Sequence, residues 1–227
     1  MVYWPHLYLL VFVLIIWGLE KLFPRFMARA EENLIVLILT AIMLVSFGQV
    51  IARYGFNTGW SAALEFSTVA FSWLILLGMS YGIKTGLHLG VDILLNAVPK
   101  KITKVLSLVG ALAALFYGLI LIDSVWLSWL GLGMNAKGGA IAYWLKMYKI
   151  NIGAEELRYP ELLQQTFGMQ PRVHRWLLLL VLPVGLGMLA FRSLQAFWDI
   201  LTNKRAMLIS GHEAEELVAE HKDALKD

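Results

Sequence analysis

Lys84, His88, Asp92 and Asn96 recur at every fourth residue of the stretch YGIKTGLHLGVDILLN, a spacing that puts all four on one face of a helix. An imidazole and a carboxylate one turn apart have the geometry to begin a zinc site or to pass a proton. A zinc site needs further ligands, and none lies nearby in the sequence. The chain also lacks a phosphate-cradling glycine loop, a nucleophile elbow and an HExxH helix. The remaining polar groups in apolar stretches are Gln49, Arg53, Glu65 and Asp123, and each must be placed by depth before it is given a role.

The elements that position these residues are greasy. Of 227 residues, 59% are hydrophobic and 15% charged, with no cysteine and a mean hydropathy of +0.68. A soluble domain of this length cannot hide so much apolar surface, so the fold class is an all-α integral membrane protein. The absence of cysteine removes disulfides, thiolate metal sites and cysteine nucleophiles together. A span needs about 20 apolar residues. Four spans are expected near 33–53, 62–84, 102–130 and 175–199, the last bracketed by Arg175 and Arg192, whose side chains can snorkel to the headgroups.

Lysine and arginine set the orientation. Lys21, Arg25 and Arg29 precede the first span, Lys84, Lys100, Lys101 and Lys104 separate the second and third, and Arg192, Lys204 and Arg205 follow the fourth. The positive-inside rule makes those segments cytoplasmic, the C-terminus included, and it accounts for the net charge of +3 without nucleic acid. Only Arg53 lies in the short loop between the first two spans, which therefore faces out. The apolar residues 1–28 form a separate N-terminal element. A helix from Pro5 to Leu19 is about 22 Å long, and it is either an interfacial helix or a tilted fifth span.

Asp92 cannot continue into lipid, so the segment after the second span is read as an amphipathic helix on the cytoplasmic surface, closed by Pro99 and KKITK. The segment 131–174 is too long for a bare hairpin loop. Glycine and proline divide it into two amphipathic pieces, Ile141 to Tyr148 and Glu161 to Phe167. Tyr143, Trp144, Lys146, Tyr148 and Lys149 suit a headgroup layer, and a protein-docking surface is the other reading. Residues 206–227 hold a capping box, Ser210 and Glu213, and read as a short cytoplasmic tail helix.

By depth, Arg53 and Glu65 flank one outward hairpin and are expected to pair with each other or with a neighbouring subunit. Asp123, about 30 Å above the cytoplasmic start of the third span, is expected to be a wetted helix end. Gln49 is placed to bond across helices. A haem anchor needs histidines at depth on facing spans. His6, His88, His174, His212 and His221 fall at ends, on surfaces or in the tail, so that reading fails and no cofactor is expected. A secondary transporter in its own right would show paired, interrupted helices, and none is visible.

The order Arg53-Tyr54, Trp60, Glu65, Phe71, Trp73, Gly78 and then YGIKTGLHLGVD resembles the small membrane subunit (Q subunit, DctQ-like) of tripartite ATP-independent periplasmic (TRAP) transporters. The similarity runs from about 29 to 205, and the Trp60 to Glu65 spacing is wider than in that pattern. The resemblance implies a bacterial inner-membrane complex. Its large multi-span subunit carries the substrate and sodium, and a periplasmic substrate-binding protein delivers the substrate. The small subunit then acts as a scaffold with no catalytic role, and the wording looks most like the C4-dicarboxylate branch. Interface candidates are Gln49, Arg53, Glu65, Trp73, Lys84, His88, Asp92 and Asp123. The competing reading is a cofactor-free anchor subunit of a respiratory or other membrane enzyme complex.

Overall fold

The computed structural model describes residues 4–86, 99–132 and 138–204. Helix α1 (Trp4–Leu22) is followed after one residue by α2 (Pro24–Gly55), then α3 (Ser61–Thr85), α4 (Lys100–Ile122) and the short α5 (Val125–Trp129). Next come α6 (Ala140–Ile150), β1 (Gly153–Arg158), α7 (Glu161–Phe167), β2 (Arg172–His174), α8 (Arg175–Leu178) and α9 (Val181–Leu201). Among the described residues four stretches are long and apolar enough to cross a membrane: Pro24–Gly55, Ser61–Thr85, Lys101–Ile122 and Arg175–Leu201. The all-α membrane fold class holds, with one small two-stranded sheet added to it.

Local chemistry explains where the helices stop and start. Pro24 opens α2, where its missing N–H costs nothing. At the far end Asn57 takes a left-handed conformation, φ 53°, and the Thr58 N–H and hydroxyl both return to the Ala52 carbonyl. Thr68, Ser72 and Ser193 each donate their hydroxyl to the carbonyl four residues back, which keeps these polar groups satisfied on apolar helices.

Two expected spans are broken in ways their hydropathy conceals. The third was expected to run to 130, but α4 ends at Ile122. Asp123 Oδ1 accepts the Val125 N–H at 3.0 Å, a local bond that competes with continuation of the helix. The fourth is divided at Leu179 and Leu180, because Pro183 has no N–H for the Leu179 carbonyl and its ring crowds that position.

The chain divides into two compact units. The first comprises Met1–Gly78 with Gly118–Met188. In it α9 is approached closely on two sides. A Cβ at Gly185 would lie 2.7 Å from Leu76 Cβ on α3, and one at Gly187 would lie 2.7 Å from the Phe12 ring on α1. Only glycine allows both approaches from positions two residues apart. The Tyr8 hydroxyl adds a 2.8 Å bond to the Pro183 carbonyl.

The second unit comprises Met79–Tyr117 with Leu189–Asp227. Its core holds Ile83, Ala111, Leu189, Phe191, Ala196 and Ile200 together with Ser80, Ser107 and Arg192. Arg192 corrects an expectation. It does not snorkel but is 2% exposed, and its Nη1 donates to Gln195 Oε1 at 2.6 Å. Of the small residues on α4, Ala111 is fully buried, while Gly110, Ala113 and Ala114 line a recess with Met79, Ile83 and Leu189.

Candidate functional site

The first unit carries a small cap, built from β1, α7, β2 and α8 and held on α3 chiefly by the Glu65 side chain. β1 and β2 pair antiparallel with Gly153 opposite His174 and Arg158 opposite Arg172, so six residues of one strand face three of the other. The surplus residues of β1 bulge out of the ladder, and their N–H groups need acceptors. Glu65, on the second turn of α3, supplies them. Its Oε1 accepts from Glu155 N at 3.0 Å, and its Oε2 accepts from Glu156 N at 2.7 Å and Leu157 N at 2.8 Å. The bond is returned one turn earlier, where the Ser61 hydroxyl donates to Glu156 Oε2 at 2.9 Å. Successive amides converging on one carboxylate form an anion nest, and here the anion is part of the chain.

Behind the nest the cap is packed by aromatics. Tyr159 Oη and His174 Nδ1 lie 2.9 Å apart, and Gln164 Nε2 donates to the Tyr159 carbonyl at 2.7 Å. Trp176 meets Tyr148 edge-on at 5.5 Å and Trp144 at 6.4 Å between ring centroids. The Trp144 indole N–H donates to the Trp176 carbonyl at 2.9 Å, tying α6 to α8. Arg175 and Glu155 come within 3.9 Å but are both substantially exposed, a pair worth little.

The hairpin between α2 and α3 bears an open recess of about 430 Å³, lined by Gln49, Arg53, Asn57, Trp60, Ser61 and Leu64 among others. Gln49 and Arg53, one turn apart on α2, therefore share a site. The expected pairing of Arg53 with Glu65 does not form. The Glu65 carboxylate is committed to backbone amides, and the exposed Arg53 guanidinium lies 6.0 Å from the Tyr54 ring.

Asp123 is a correction as well. It is 3% exposed, not wetted, and its Oδ2 lies 3.8 Å from His6 Nε2 on α1. Trp73 and Lys84 are half-buried on α3. His88 and Asp92, with the amphipathic helix expected around them, and the expected tail helix lie outside the described residues. Among the described residues no three His, Asp or Glu side chains gather as a metal site.

The helix α7 of the cap falls where an amphipathic piece was expected, Glu161 to Phe167, but its two strands were not foreseen. The signal for the strands was the run INIGAEELRYP followed by PRVH, two short segments bounded by glycine and proline. The acceptor on α3 left no local trace, since Glu65 and Glu156 are 91 positions apart.

The family described as "Tripartite ATP-independent periplasmic transporters, DctQ component" matches residues 42–203. The chain belongs to this family. It is 31% identical over 198 residues to the C4-dicarboxylate TRAP transporter small permease protein DctQ of Vibrio cholerae serotype O1, covering 85% of this chain and 80% of that protein. The protein of the same name from Pseudomonas aeruginosa is 28% identical over 232 residues, covering 88% and 96%. The one from Rhodobacter capsulatus is 31% identical over 143 residues, covering 62% and 48%. No solved structure matches. Membership in the DctQ family and the four apolar helices together describe a multi-pass inner-membrane subunit of a TRAP transporter.

Proposed function

We propose that this DctQ-family chain is the non-catalytic scaffold of a sodium-coupled, binding-protein-dependent transporter that imports C4-dicarboxylates. The substrate class is taken from the names of the relatives. One observation carries the scaffold role. In the most apolar window of α2 no residue is buried within the chain, against 61% in the span Arg175–Leu201. Val36, Leu37, Met43, Leu44, Phe47, Val50 and Ile51 are all exposed. The large membrane subunit is the surface that α2 meets, with Trp73 and Lys84 on α3 and His88 and Asp92 beyond it completing the joint.

Loop charges put the C-terminus in the cytoplasm and the cap in the periplasm. There the recess holding Gln49 and Arg53, and the arginines of the cap, receive the substrate-binding protein. The N-terminal helix α1 is a fifth span in this reading. His6 faces Asp123, Tyr8 meets Pro183 and Phe12 meets Gly187, so α1 runs parallel to α9 with its N-terminus outside. Its 19 residues extend about 28 Å.

Co-purification tests the scaffold role. After mild solubilisation a tagged chain brings down a large multi-span membrane protein. Recovery of a soluble dehydrogenase in its place would mark an enzyme anchor and overturn the proposal.

A further inference from the structure

A second recess of the first unit, about 610 Å³, lies beneath α6. Leu76 of α3, Ile120 and Leu121 of α4, and Leu182 and Leu186 of α9 form its apolar wall, and Ala140 and Tyr143 of α6 form its rim. A smaller recess of about 300 Å³ shares Leu76 and Leu182 and continues toward Val69 and Leu178. Spaces of this size and lining admit a hydrocarbon chain.

The rim differs in chemistry from the wall. α6 is amphipathic, with Ile141 buried and Tyr143, Lys146 and Lys149 exposed. Lys146 follows Tyr143 by three residues, which makes the two side chains neighbours on the surface of α6, Tyr143 lining the recess and Lys146 next to it. Trp144 and Tyr148 are stacked at 6.1 Å beside them, as aromatics are at headgroup depth. An open apolar recess in the spanning helices, with the Tyr143 side chain lining it and an exposed ammonium group three residues along the same helix, is complementary to one molecule abundant in its surroundings.

We propose that this recess is a site for an anionic phospholipid. One acyl chain lies against Leu76, Leu121, Leu182 and Leu186, and the phosphodiester is held by Lys146 and the Tyr143 hydroxyl. A helix of a protein partner is the rival occupant, and the exposed ammonium group of Lys146 beside Tyr143 counts against it.

The test uses the full chain, purified with whatever membrane partner accompanies it and exchanged into vesicles of phosphatidylcholine containing one-fifth phosphatidylglycerol. After re-extraction in mild detergent, native mass spectrometry counts the retained lipid. Phosphatidylglycerol is expected to be retained at about one per chain. Lys146→Glu, at an exposed position, lowers its retention roughly tenfold, which corresponds to about 1.4 kcal/mol of charge-assisted contact. Leu182→Trp, which fills the slot, removes retained lipid of either headgroup. A photoreactive residue at Leu121 crosslinks to lipid. Equal retention of the two lipids, no effect of Lys146→Glu, or a crosslink to protein would each overturn the assignment. If Leu182→Trp does not fold, Lys146→Glu and the crosslink still decide it.

Discussion

Glu65 holds Glu156 by its backbone, and Glu156 in turn holds Ser61 by its side chain. The Glu65 carboxylate accepts the Glu156 backbone N–H at 2.7 Å, and the Glu156 carboxylate accepts the hydroxyl of Ser61, one turn before Glu65. The three bonds to Glu65 read only the β1 backbone, so they tolerate change in the β1 side chains but not at position 65, whereas the bond to Ser61 needs the Glu156 carboxylate.

Glu65→Gln keeps the shape and loses one of the two acceptor oxygens and the charge. The cost is about 1.5 kcal/mol, at the low end for bonds to an ionised acceptor because two of the three amides belong to exposed residues. Hydrogen exchange at the amides of residues 155–157 is expected to quicken roughly tenfold. Glu155→Gln, which removes only the exposed contact with Arg175, leaves those rates unchanged within a factor of about two.

Gly139 lies against the end of α4 so closely that a Cβ would overlap the Ile122 carbonyl and the Asp123 N–H. Backbone cannot step aside as a flexible side chain does. Gly139→Ala should cost about 3 kcal/mol, and thermal unfolding in detergent should show a midpoint lower by roughly 6–12 °C.

Because the chain has no cysteine, single introduced thiols report topology without background. With α1 as a span, Val2→Cys in intact spheroplasts reacts with a membrane-impermeant maleimide, and Arg25→Cys reacts only after permeabilisation. Labelling of both only after permeabilisation would make α1 an interfacial helix.

Arg53→Glu and Arg158→Glu reverse charge on the surfaces assigned to the binding protein. Uptake should fall roughly fivefold, the effect of about 1 kcal/mol at a charged rim, with the membrane complex recovered intact. Uptake unchanged in both variants removes the docking role.

His88→Gln keeps a polar group of similar size on the line with Lys84 and Asp92. Assembly and most transport are expected to survive it. Loss of transport in an intact complex would return His88 to proton coupling.

Hydropathy made the spans legible, because burial in lipid writes itself into a run of some twenty residues. Their ends were legible where the signal was local. The second span was expected to end at Lys84, and α3 ends at Thr85, where Gly86 turns left-handed at φ 74°. Asp123 misled because its position was counted along an uninterrupted helix, whereas its own side chain stops the helix and turns inward to face His6. Arg192 misled because its charge implied headgroups and its position on α9 puts it in the core of the second unit. Depth along the sequence is one coordinate, and burial depends on which neighbour stands on the remaining sides.

The Glu65 clamp also makes the cap an indicator of rotation. Turning α3 by one residue about its axis, about 100°, would swing the carboxylate away from β1. A helix that serves as a fixed strut leaves the cap seated through every transport cycle, whereas one that turns must cast it off. The amides of residues 155–157 thus mark, at the surface, whether the helix below them moves.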